Sequence, residues 1–61
     1  MENKTEYTLY NKDKSIEFIR CETYTEAKNY QKYDYPASDI YKEILTKRNG
    51  LFVLTASVKM K

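Results

Sequence analysis

A single cysteine, Cys21, and no histidine leave this chain of 61 residues without a covalent or metal staple. An intrachain disulfide needs a second thiol, and the usual tetrahedral zinc sets draw on Cys and His together. A chain this short forms one domain and buries about 60% of the surface that its unfolded form exposes. Such a core supports only about 3–5 kcal/mol of net stability. The expectation is a single domain over residues 1–61, flexible at 1–4 and 59–61, with no metal and no cofactor. Another protein, or a second copy of the chain, is then the remaining source of added stability. The lone thiol lies in the apolar stretch Ile16–Cys21 and reads as a buried structural group in a reducing compartment.

The same absences remove whole reaction classes. Without histidine there is no Cys–His or Ser–His pair. With one glycine there is no phosphate-cradling loop. The carboxylate pairs Glu22/Glu26 and Asp39/Glu43 stand at helical spacing and read as solvated charges. The chain is therefore expected not to be an enzyme. No apolar run approaches the ~18–20 residues of a membrane span, and Met1–Tyr10 is polar where a signal peptide would be apolar. The expected setting is cytoplasmic, with no membrane contact.

One glycine, Gly50, and one proline, Pro36, imply short connections and mostly regular structure. Thr5–Asn11 is rich in Thr and Tyr and reads as a strand; Ser15–Glu22 reads as a second, joined to the first by a polar turn. Thr23-Tyr24-Thr25-Glu26 has the form of a capping box. It opens a helix to about Tyr33, with Tyr24, Ala27, Tyr30 and Tyr33 spaced by three. Pro36 ends that helix and suits the first turn of another. Ala37, Ile40, Tyr41, Ile44 and Leu45 then match i, i+3, i+4, i+7, i+8. Asn49-Gly50 reads as the stop of this second helix. Leu51–Lys61 closes the chain as a strand, apolar on both faces at its start and so expected to be most deeply buried there. The predicted class is α+β: strand–strand–helix–helix–strand, a three-stranded antiparallel or mixed sheet with two helices packed on one face.

Five of the seven tyrosines fall between Glu22 and Tyr41. Tyr30 and Tyr41, inside apolar stripes, and Tyr7 read as core. Tyr10, Tyr24, Tyr33 and Tyr35 fall at rims and are the candidate protein-binding residues, because tyrosine offers rigid contact area with a polar tip. The net charge is only +2. The expected function is a small non-enzymatic binding module, a regulator or inhibitor of the phage or mobile-element type. Its partner would be another protein or itself as a homodimer. This rests on size and on a Lys-, Asn-, Tyr- and Ile-rich composition, not on a motif. The alternative is a DNA- or RNA-binding protein whose Lys12, Lys14, Arg20, Lys28, Lys32, Lys59 and Lys61 form a basic surface interleaved with Tyr10 and Tyr24. Only two of the eleven cations are arginine, which weighs against base-edge reading.

Overall fold

The computed structural model describes residues 2–60. Five elements follow in chain order: β1 (Asn3–Asn11), β2 (Glu17–Cys21), α1 (Tyr24–Tyr33), β3 (Ser38–Arg48) and β4 (Leu51–Lys59). The strands form one antiparallel sheet in the order β2-β1-β3-β4. This corrects the predicted class. The domain is mostly sheet, four antiparallel strands with one short helix, and the second helix predicted from Pro36 to Arg48 does not exist.

The correction has a clear cause. β3 is a central strand, paired along its length with β1 on one side and β4 on the other. Flanking strands shield the side chains of such a strand on both faces, Ile40 on one and Leu45 on the other being buried, so it need not alternate. Its adjacent apolar pairs, Ile40-Tyr41 and Ile44-Leu45, send one side chain to each face. Pairs spaced by four are also what a helical stripe produces. The β-branched Ile40, Ile44 and Thr46 and the aromatic Tyr41 favour the extended form. Asn49 and Gly50 both have positive φ (52° and 81°), and Arg48 faces Leu51 across them. This is a two-residue hairpin turn of the type that Asn-Gly favours, not a helix stop.

The remaining elements obey local rules. The Thr23 hydroxyl caps α1 by accepting from the Glu26 N–H at 3.2 Å, as a capping box requires. The β1–β2 hairpin turns through residues 12–16, where Asn11 Oδ1 accepts from the Ile16 N–H and Asp13 Oδ1 from the Ser15 N–H. After α1, Ser38 bonds back to the Tyr35 carbonyl through both its N–H and its hydroxyl, turning the chain around Pro36 into β3. At the ends, the Lys47 N–H donates to the Glu2 carbonyl and the Met60 N–H to the Ile40 carbonyl.

α1 lies across β2, β1 and β3 and does not reach β4. Between it and the sheet Leu9, Cys21, Ile40 and the helix's own Ala27 are buried, with Tyr7, Ile19, Tyr24, Tyr35 and Met60 packed around them. The start of β4 is not the buried segment that its composition predicts: Leu51 is 70% exposed.

Two outcomes follow. Gly50→Ala adds a Cβ that meets nothing within 4 Å, so its penalty is the positive φ alone, about 1 kcal/mol. A thermal melt should show a midpoint lower by roughly 4–8 °C with an unchanged folded-state circular dichroism spectrum. Leu9→Ala empties the centre of the core at a cost of about 2–5 kcal/mol, comparable to the total of about 3–5 kcal/mol. Urea titration should find that variant largely unfolded at 25 °C before denaturant is added.

Candidate functional site

The sheet face away from α1 carries no second layer, yet two of its residues, Thr8 and Glu43, are fully buried. Register explains how. Glu43 on β3 stands directly opposite Glu6 on β1 and Ser57 on β4. Like charges facing each other across a ladder are destabilising, and Arg20 of β2 relieves this pair. Its guanidinium lies 2.9 Å from Glu6, 2.9 Å from Glu17 and 3.7 Å from Glu43. These bonds, Glu17 first and then Glu6, hold the guanidinium even more firmly protonated than usual. The Glu43 carboxylate accepts from the hydroxyls of Thr8 (2.9 Å), Tyr10 (2.9 Å) and Ser57 (3.0 Å). A buried carboxylate needs such donors to offset its lost hydration.

A second group of charges closes the same face. Asp39, at the β1–β3 end, is bound by Lys12 at 2.9 Å and Lys59 at 3.5 Å. The Lys12 hydrogen bond, aided by both ammonium charges, lowers the Asp39 pKa below the usual carboxylate value. Lys14 Nζ donates to Ser57 Oγ at 3.0 Å and sits 4.3 Å above the Tyr41 ring and 5.2 Å from that of Tyr10. Tyr10 and Tyr41 meet edge to face at 5.3 Å. Burial, and then the bond to Glu43 and its charge, pushes the Tyr10 phenol up from 10.0 to about 12.

The four rim tyrosines do not share a surface. Tyr10 is half-buried on the open face. Tyr24 and Tyr35 pack against the core on the helix side, Tyr24 against Tyr7 at 5.6 Å and Tyr35 stacked on Phe18 at 4.9 Å. Tyr33, 72% exposed, ends α1. Among the tyrosines read as core, Tyr7 packs against it, Tyr30 is exposed on α1, and Tyr41 lies half-buried on the open face. The cations divide likewise. Lys12, Lys14, Arg20 and Lys59 serve the bonds just described. Lys28 and Lys32 are on α1, within 5.5 Å and 5.3 Å of the Tyr24 and Tyr33 rings. Lys61 lies outside the described residues.

The surface that composition did not single out is β4. Leu51, Val53, Leu54 and Val58 are exposed, and no charged residue occurs between Leu51 and Val58. β4 is an edge strand, so one side of its backbone is unpaired within the sheet. The Lys47 N–H points to Glu2, on the β1 side. Lys47 and Phe52 are therefore a non-hydrogen-bonded pair, and the N–H and C=O of Phe52 point outward. The period of two gives Leu54 the same outlook, up to the register shift between Ile44 and Leu45. The sequence signal was present as Leu51-Phe52-Val53-Leu54 directly after an Asn-Gly turn. It reads as burial only if the strand is assumed to be central.

Among the described residues there is no enclosed pocket, no cluster of three Cys, Asp or Glu that could hold a metal ion, and no helix long and apolar enough to cross a membrane. No protein-family model, curated protein or solved structure matches the chain.

The raised Tyr10 phenol sets a pH dependence. Its folded value lies above its unfolded one, so the stability it contributes is complete below pH 10 and is lost as pH rises through about 12. Thermal midpoints measured across that window should fall less steeply for Tyr10→Phe than for the unmodified protein.

Proposed function

We propose that the protein is a non-enzymatic protein-binding module, a small regulator or inhibitor, and that its contact element is the edge strand β4. The observation that carries this reading is the uncharged apolar run Leu51–Leu54, with Leu51, Val53 and Leu54 exposed, on a strand with outward-facing backbone groups. Natural proteins blunt such edges with charge, proline or shortness, because an open edge pairs with other chains. The opposite edge, β2, follows that practice: it has five residues and carries Glu17 and Arg20. β4 has nine residues and no charge before Lys59. Strand addition supplies affinity through main-chain hydrogen bonds and specificity through alternate side chains.

The nucleic-acid alternative draws less support. Lys12, Arg20 and Lys59 are engaged by carboxylates of the same face, Lys14 by Ser57 and two rings, and Lys28 and Lys32 belong to another element.

The test is recovery of tagged protein from its source cells at moderate salt, with nuclease, for the unmodified chain and for Leu54→Lys. A stoichiometric protein, including an untagged copy, should come with the unmodified chain and be lost from the variant, while the variant's thermal midpoint stays within a few degrees. Recovery of the same protein with Leu54→Lys would overturn the assignment of β4. Recovery of nucleic acid alone, lost on nuclease treatment, would overturn the protein-binding reading itself.

A further inference from the structure

We propose that β4 pairs with β4 of a second copy of this chain, antiparallel about a two-fold axis through Val53, joining two four-stranded sheets into one. This rests on the reading of β4 as a protein-binding strand and names its partner.

Backbone geometry selects the register. In a two-fold antiparallel pair, an axis through residue 53 sets residue 52 of each copy opposite residue 54 of the other. Phe52 and Leu54 are the residues whose N–H and C=O groups point away from β3. Each Phe52–Leu54 pair then exchanges two N–H···O=C bonds, and symmetry supplies the second pair. An axis between residues sets an outward-facing residue against an inward-facing one. An axis through Phe52 runs into the turn at Asn49-Gly50, and one through Leu54 crosses the irregularity between Leu54 and Ala56, where the two faces fall out of step.

Side chains agree with that register, because opposed residues share a face. Phe52 faces away from α1: Lys4, which pairs with Glu6 on the open face, lies 4.5 Å over its ring. Leu54, two residues on, lies on the same face. The junction therefore forms two aromatic–aliphatic pairs there, the kind that stabilises antiparallel ladders. On the other face Val53 meets its own symmetry mate.

Charge and area set the strength. No charge lies between Leu51 and Val58, so the strand itself brings none to the contact, and the nearest cation on the pairing face, Lys4 over the Phe52 ring, has a half-exposed side chain. The flanking Arg48 and Lys59 are both positive, so added salt relieves their mutual repulsion. Leu51, Val53 and Leu54 are 70%, 40% and 53% exposed, an apolar patch of a few hundred Å² per copy. The junction falls at the low end of specific interfaces, about 1,000 Å² in total, as suits a weak reversible dimer. Its dissociation constant should lie in the micromolar range, on the order of 1–100 μM.

Three readouts test this on the full chain. Sedimentation velocity from about 1 to 500 μM should show a monomer–dimer equilibrium that salt does not weaken and that Leu54→Lys weakens about tenfold or more. Amide exchange at Phe52 and Leu54 should slow as concentration rises. Val53→Cys should form an interchain disulfide under mild oxidation, because residues facing across a non-hydrogen-bonded antiparallel pair stand about 4.5 Å apart at Cα, within disulfide reach. Val58→Cys, exposed on the same strand but off the axis, should cross-link about tenfold more slowly or less. The native Cys21 is buried and serves as the internal control. A monomer throughout, with fast exchange at Phe52 and Leu54, overturns the self-pairing; so does equal cross-linking at positions 53 and 58. If the monomer still captures another protein from cells in a Leu54-dependent way, self-pairing alone has failed. If that capture is absent too, the reading of β4 as a binding strand fails with it.

Discussion

β1 and β3 pair along the whole length of β1, from Asn3 with Thr46 to Asn11 with Ser38, and both the apolar core on one face and the polar cluster on the other are built across that pairing. Leu9 meets Ile40 across it, and these two buried residues carry α1 on their shared face. Thr8 and Tyr10 reach Glu43 across it on the other face. The partners are far apart in sequence, so their pairing must overcome the entropy of closing a long loop. The β1–β2 hairpin and α1 shorten that loop. Each is a local structure with its own turn or cap, and together they leave only the bend around Pro36 before β3 reaches β1.

Glu43 shows why a sheet with one bare face can hold a polar interior. In an ordinary two-layer domain the second face would be covered by another element. Here three hydroxyls, an arginine and a crossed pair of tyrosines cover it instead. The arrangement is worth less than an apolar layer would be, because a buried carboxylate must first recover its hydration. It has a different consequence. Arg20 is held by carboxylates of its own sheet, and Lys12 and Lys59, though largely exposed, both pair with Asp39. An arginine held in this way is poorly placed to neutralise phosphates, and this favours protein over nucleic acid as the proposed partner.

The parts of the fold that were legible in the sequence are those specified over a few residues. Thr23-x-x-Glu26 fixed the start of α1. The Asn11–Ser15 turn and the alternation around it fixed the first hairpin. The strand character of Leu51–Lys59 was equally plain. β3 was not legible by period, since a central strand with apolar residues on both faces shows apolar pairs every four residues, as a helix does. Its β-branched residues and the Asn-Gly turn held the deciding information, and the turn admits a helix-stop reading when Lys47 and Arg48 precede it. The proposed binding surface was less legible still. Tyrosine is conspicuous in composition, but Tyr24 and Tyr35 are held by Tyr7 and Phe18. Whether Leu51-Phe52-Val53-Leu54 is core or edge depends on strand order, which no local pattern encodes.

Strand order also connects the missing staples to the open edge. The helix covers β2, β1 and β3, so burial is concentrated on one half of the sheet and β4 adds exposed apolar surface. A monomer with this distribution holds its β4 by the hairpin turn, the ladder to β3 and the polar contacts of Ser57 and Lys59, with little apolar side-chain burial. On the proposed reading, pairing β4 with a second β4 buries part of that surface and satisfies the outward backbone groups of Phe52 and Leu54. The gain falls on the element least covered within one chain. Association that binds the folded form alone stabilises it in proportion to the logarithm of concentration. A domain with one cysteine and no histidine has no disulfide or zinc staple that does the same, so on the proposed reading the open edge of β4 is the route to a firmer fold.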